Sequence, residues 1–207
     1  MGLYAAKAGQ VIGVLTPGKH GGNHQLLGLS CITALGIEAA MQTNPRLNIR
    51  SVTWSNPVGA DLRRAQQAEL DARFGSPDHE PGTPPSGADC AVFLVAYDKA
   101  SGQPVGCGGL RLLDSVTAEI KRLYVLPYTR GSGVASSILA ALEAEAHKQG
   151  ITRIKAEAGS AQPDGRNFYE NSGFEPVPNF GAYIGVAHSY CYAKAIHSHS
   201  AAHTAMA

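Results

Sequence analysis

The chain has 207 residues, 44% hydrophobic and 16% charged, with 17 Lys+Arg against 16 Asp+Glu and a formal net charge of +1. This balance suits one compact core of ordinary size and excludes a polyanion binder, because scattered, neutralised basic residues point to neither nucleic acid nor an anionic membrane. Four cysteines, Cys31, Cys90, Cys107 and Cys191, form no C-x-x-C pair and no zinc-ligand spacing, which predicts reduced thiols packed in the core of a cytoplasmic protein and no metal site.

Residues 1–25 are glycine-rich and carry His20 and His24, and Leu26 to Met41 form an apolar stretch interrupted by Glu38. That stretch is too short to span a bilayer and starts too late for a secretory signal, so residues 1–47 are predicted to be a partly flexible extension. The main domain is expected over 48–195. It opens with a strand near Ile49 to Trp54, then Asn56-Pro57 and a helix from about Asp61 to Phe74 that Gly75 closes. A Pro/Gly-rich loop covers Ser76 to Ala88. Three strands follow, Ala91 to Tyr97, Pro104 to Leu113 and Val116 to Val125, separated by turns at Asp98 to Gly102 and at Asp114-Ser115, which predicts an antiparallel meander. Pro127 ends the third strand.

The next helix runs to Lys148, with Val134, Ile138, Leu139, Leu142 and Ala146 on one stripe and Gly150 as its stop. The strand Arg153 to Ala158 then returns, a crossover consistent with parallel pairing. A short helix around Asn167 to Asn171 and strands near Glu175 to Val177 and Ser189 to Lys194 complete the expected fold. This is an α/β mixed, mostly antiparallel twisted sheet with helices on both faces. Residues 196–207, with His197, His199 and His203 among Ser and Ala, are predicted to be a flexible tail.

Between the third strand and the long helix lies Arg130-Gly131-Ser132-Gly133-Val134-Ala135. Glycines at 131 and 133 let the backbone approach an anion, and the unpaired N–H groups of the helix's first turn point at it, so the segment is a candidate pyrophosphate cradle. Arg130 adds a fixed charge. The first turn contains no Asp or Glu, as suits a helix end that faces a phosphate.

The run AEIKRLYVLPYTRGSGVA resembles the central strand, loop and helix of the GNAT superfamily of acyl-CoA-dependent N-acetyltransferases, including its Q/R-x-x-G-x-G/A phosphate loop. Further along, RNFYENSGFEPV resembles the family's second signature, a short helix with a tyrosine followed by Gly-Phe and a strand. The resemblance covers roughly Ile49 to Lys194. It implies acetyl-CoA as co-substrate, held by Arg130 to Ala135, and transfer of its acetyl group to an amine. It also implies a backbone oxyanion donor at a bulge mapped to Leu123, Tyr124 and Val125, Tyr169 as general acid toward the departing thiolate, and Asn167 as a CoA contact. Many relatives place that asparagine earlier; here it stands two residues before Tyr169, and Gly165 weakens the start of the helix.

An alkylamine has a pKa near that of lysine, about 10.4, so acetyl transfer near neutrality needs a proton acceptor. Glu119 is the only acid of the central strand and matches the family's catalytic glutamate; a partly apolar sheet wall would raise its pKa. The alternative is a strand acid paired with Lys121 or Arg122. The resemblance implies that the first helix, the loop after it and the last hairpin shape the acceptor side, so the candidates there are Glu69, Arg73, Asp78, His79 and Glu80, and Phe180 and Tyr183 in the hairpin region.

The expected partners are a small-molecule amine acceptor and, among oligomers, a homodimer. Two further functions stay open: an aminoglycoside-like antibiotic-modifying acetyltransferase, and a non-catalytic acyl-CoA-binding regulatory module, which would not need Glu119 and Tyr169 together. A dinucleotide-binding domain, with Glu157 as ribose acid, fails because Ser136 replaces the third glycine and the upstream meander is not a β-α series.

Overall fold

The computed structural model describes residues 44–196; the predicted N-terminal extension up to residue 43, the tail from residue 197 and Cys31 lie outside them. The described chain forms seven strands, β1 (Leu47–Ser51), β2 (Cys90–Asp98), β3 (Pro104–Leu112), β4 (Thr117–Val125), β5 (Arg153–Gly159), β6 (Glu175–Val177) and β7 (Ser189–Ala195), and three helices, α1 (Pro57–Phe74), α2 (Val134–Lys148) and α3 (Pro163–Asn171). The strands make one sheet in the order β1-β2-β3-β4-β5-β7-β6, antiparallel throughout except for the β4–β5 pair. The expected mixed, mostly antiparallel sheet with helices on both faces is what the chain adopts.

Period-2 alternation assigns the faces. Val92, Leu94, Ala96, Leu110, Ala118, Ile120, Ile154, Ala156 and Ala158 point to one side, where they bury against α2 and α3. Phe93, Val95, Cys107 and Tyr124 point to the other, against Leu62 of α1. Ile138 and Leu142 of α2 are completely buried, each contributing about 1.5–3 kcal/mol of apolar burial. The helix sits this low because β3 is glycine-rich beneath it: a Cβ on Gly108 would meet Ile138 at 3.0 Å and Leu142 at 3.2 Å. Packing on β3 thereby sets the first turn of α2 beside the end of β4.

Some boundaries differ from those expected. β1 ends at Ser51, before Trp54, and α1 starts at Pro57 rather than Asp61, because Asn56 is itself the N-cap: its side chain accepts from Gly59 N at 3.0 Å, and Pro57 supplies a preset φ. α3 starts at Pro163, four residues before Asn167, for the same reason at its first position. Gly165 is accommodated within it, lying against Ala158 of β5.

Candidate active site

β4 and β5 pair only from Thr117↔Arg153 to Glu119↔Lys155 and then part. On its other edge β4 bulges. Cys107 pairs with Tyr124 and Gly109 with Lys121, so two residues, Arg122 and Leu123, face the single Gly108. Arg122 has φ 57, the one non-glycine residue in the left-handed region among those described. Side chains satisfy the displaced carbonyls: Gln66 Nε2 donates to Leu123 O at 3.0 Å and the Cys107 thiol to Arg122 O at 3.4 Å. The bulge therefore begins at Arg122, one residue before the position mapped from the sequence, because it is the turn in backbone direction at Arg122 that takes Leu123 out of register.

The parting of the two strands opens a cleft of about 540 Å³. At one end lies the loop before α2. Gly131 (φ 76) and Gly133 (φ 82) both have conformations that a side chain would strain, and no atom lies within 4 Å of a Cβ placed on Gly131. No side chain caps α2, its first turn holds no acid, and its first helical bond is Ser137 N to Gly133 O at 3.1 Å. The N–H groups of Val134, Ala135 and Ser136 are thus free of intrahelical acceptors, and these residues line the cleft. An anionic diester fits this open, donor-rich end.

Of the residues singled out from sequence, Glu119, Leu123, Tyr124, Val125, Arg130, Gly131, Gly133, Val134, Ala135 and Tyr169 share the cleft wall. Ser132 turns away, its hydroxyl donating to Thr129 O at 2.6 Å. Its carbonyl accepts from Asn44 Nδ2 at 2.9 Å, which ties residues just before β1 to the cradle. Asn167 is exposed on α3 and does not line the cleft, since one helical turn holds either Asn167 or Tyr169 toward the sheet, and Tyr169 is the buried one. Arg130 is not a free charge: it reaches Glu69 at 2.6 Å and Val125 O at 3.1 Å.

The interior is strongly polar. Glu119 is 1% exposed, and both of its oxygens are engaged. Arg111, its register partner on β3, donates to Oε2 from Nη2 at 2.7 Å and from Nε at 3.1 Å, while the Tyr183 hydroxyl donates to Oε1 at 2.7 Å. Lys121 Nζ donates to the same Tyr183 oxygen at 2.9 Å and contacts Glu80 at 2.8 Å. Arg122 also pairs with Glu80, at 2.7 Å. Burial pushes the Glu80 carboxyl up, but Lys121 and Arg122 together outweigh it and leave it below its ordinary range. The partly apolar wall expected around Glu119 is thus replaced by an ion-pair network.

Tyr169 is buried among Phe168, Phe174 and Tyr192. Burial and the charges of Glu157 and Glu119 raise its phenol well above the usual value, so it keeps its proton. Glu69, Arg73, His79, Glu80 and Tyr183 of the acceptor-side candidates line the cleft; Asp78 and Phe180 do not. Sequence reasoning missed Lys121 and Arg122 as cleft residues and Arg111 as the partner of Glu119, and considered Glu157 only as a ribose acid. The signal was available for Lys121 and Glu157, which alternate with core residues on β4 and β5, but not for Arg122, whose direction depends on the bulge. Cys90, Cys107 and Cys191 are free thiols. No described helix is long and apolar enough to cross a membrane.

Residues 89–176 match the acetyltransferase (GNAT) domain family. An IAA acetyltransferase of Azospirillum brasilense is 34% identical over 92 residues, 44% of this chain and 59% of that protein, so the match spans about three-fifths of the relative's length. Among solved structures, a proposed acyl-CoA N-acyltransferase from Klebsiella pneumoniae superposes with a TM-score of 0.63 at 24% identity, covering 74% of this chain and all (100%) of that one. A GNAT family acetyltransferase from Elizabethkingia anophelis with acetyl-CoA bound superposes with a TM-score of 0.53 at 15% identity, covering 73% of this chain and 99% of that one.

Proposed function

We propose that this chain, a member of the GNAT acetyltransferase superfamily, transfers an acetyl group from acetyl-CoA to a primary amine of a small-molecule acceptor by direct attack. The observation that carries this reading is the continuity of the cleft, from the open glycine cradle at Gly131 and Gly133 to the gap between β4 and β5. In this reading the N–H groups of Gly131 and of Gly133 to Ser136 hold the pyrophosphate of CoA, and the positive end of α2 favours its charge. Arg130 exchanges part of its contact with Glu69 for phosphate. The backbone of Leu123 to Val125, where the bulge has displaced Leu123 from its register, supplies the N–H that stabilises the oxyanion, worth a few kcal/mol in a site closed to water. Tyr169, buried and protonated, gives its proton to the departing thiolate.

The acceptor enters from the side of α1 and the loop after it, where Glu69, Glu80 and His79 line the wall. Carboxylates there attract a cationic amine. Ser132 and Asn167 shape the loop and helix beside CoA rather than facing the cleft. A cytoplasmic setting, where acetyl-CoA and reduced thiols occur together, suits the free Cys90, Cys107 and Cys191.

The test is a thiol-release assay over polyamines, amino acids, aminoglycosides and peptide N-termini, beside thermal shifts with acetyl-CoA, NAD and ATP. Acetyl-CoA alone among the three raises the melting temperature, and at least one amine drives thiol release. Stabilisation by NAD alone refutes the cofactor. Stabilisation by acetyl-CoA without release from any amine points instead to a regulatory acyl-CoA module.

A further inference from the structure

Resting on the acetyl-transfer reading above, we propose that Glu157 of β5, not a carboxylate of β4, accepts the proton of the acceptor amine. Five acids line the cleft: Glu69, Glu80, Glu119, Glu157 and Asp164. Four of them are committed. Glu69 pairs with Arg130 and Arg73, Asp164 with Arg73, Glu80 with Lys121 and Arg122, and Glu119 with Arg111 while accepting from Tyr183. In Glu69, Glu80 and Asp164 the paired cations hold the carboxyl below its ordinary range and make it a poorer base, and in Glu119 both oxygens are already taken by Arg111 and Tyr183. Glu157 alone among the five has no ion-pair partner among the described residues.

Its position follows from register. The last β4–β5 pair is Glu119↔Lys155, so Glu157 stands two residues further along β5, where the strands have parted, opposite the stretch of β4 that leads into the bulge. Its flanking residues Ala156 and Ala158 face the core, which turns Glu157 to the same face as Glu119 and Lys121. The oxyanion donor proposed at Leu123 to Val125 and the Glu157 carboxylate therefore border one gap from its two strands. The groups around Glu157 are Glu119 and Lys121 of β4, Glu80 of the loop after α1, Tyr169 of α3, Tyr183, and Ser189 and Cys191 of β7. Burial, with Glu119 and Glu80 adding to it and Ser189 and Lys121 opposing, lifts its carboxyl above the ordinary range. This is the direction that a base working near neutrality requires.

The step balances as follows. The bound ammonium gives one proton to Glu157, which releases it to solvent. The nitrogen lone pair forms the N–C bond to the thioester carbon, and the C–O π pair moves to oxygen. The pair returns, the C–S bond breaks with its electrons on sulfur, and Tyr169 protonates that sulfur. The remaining surplus proton on nitrogen is lost to Glu157 as the amide forms, and its equivalent restores Tyr169. Each turnover yields one amide, one thiol and one proton.

The experiment compares the full-length wild type, Glu157→Gln and Glu119→Gln, using the best amine at saturating acetyl-CoA, with kcat and kcat/KM followed from neutral to alkaline pH. Glu157→Gln should lower kcat at neutral pH by about 10²-fold or more, recover as the amine deprotonates, and change the KM for acetyl-CoA by less than roughly threefold. It should also raise the melting temperature at about pH 8, because an unpaired desolvated charge is removed, and this gain should shrink as pH falls toward the ordinary carboxylate range, where Glu157 becomes protonated in both folded and unfolded chains. Unchanged kcat in Glu157→Gln, a lowered melting temperature at that pH, or loss of the pH dependence in Glu119→Gln alone overturns the assignment while leaving acetyl transfer intact. A wild-type chain that releases no thiol with any amine overturns both.

Discussion

Replacing Arg111 with Met tests whether Glu119 is a structural partner before it is anything else. Arg111 makes two charged hydrogen bonds to Glu119 Oε2, at 2.7 and 3.1 Å, and a third to Thr83 O at 3.2 Å. Methionine keeps most of the buried stem but leaves a carboxylate that is 1% exposed with one Tyr183 hydrogen bond and Lys121 at 3.8 Å. Breaking a buried pair by removing one partner costs about 3–5 kcal/mol, and the partial compensation by Lys121 puts the expectation near the lower end, about 3 kcal/mol. For a domain of this size that is a fall of about 6–12 °C in melting temperature. Urea unfolding of Arg111→Met, Glu119→Gln and the double variant forms a cycle. The double variant removes the stranded charge while the glutamine still accepts from Tyr183, so it should regain more than half of the loss, with a coupling of about 2 kcal/mol or more. If Arg111→Met stays within about 1 kcal/mol of wild type, or the two single effects simply add, the network does not hold Glu119 as described.

Three further outcomes are expected. Glu80 has its pKa held below the ordinary value in the folded chain, so its pairing stabilises the protein above the unfolded carboxylate pKa and fades as pH falls through the lower folded value; Glu80→Gln should therefore be destabilising at pH 7 and converge with wild type only once pH has fallen through that folded value, as read by melting temperature. Gly133→Val forces a β-branched residue to φ 82 at the start of α2, and should abolish most of the acetyl-CoA thermal shift; a full shift in a folded variant would show that the cradle is not used. Tyr169→Phe keeps the ring among Phe168, Phe174 and Tyr192 but removes the donor, so kcat should fall with little change in acetyl-CoA affinity, and an unaltered kcat across pH would remove the proposed acid.

Local chemistry was enough to read much of this protein from its sequence. The meander, the stripe on α2 and the glycine pair before it depend on residues close together in the chain, and each alternation or αL preference acts whatever the rest of the fold does. Asn56-Pro57 and Pro163 carried helix-start information of the same kind, and only the extent of the helices they open differed. The state of the candidate site is another matter. Whether Glu119 stands free or paired depends on Arg111 coming into register on the neighbouring strand, and whether Glu80 is neutralised depends on a left-handed residue at 122 turning the backbone. Glu157 acquires its distinctive surroundings only where β4 and β5 cease to pair, 36 residues after Lys121 in the chain. Such properties are sums of charges and burial over residues far apart in sequence, and only the tertiary structure brings those terms within range of one another.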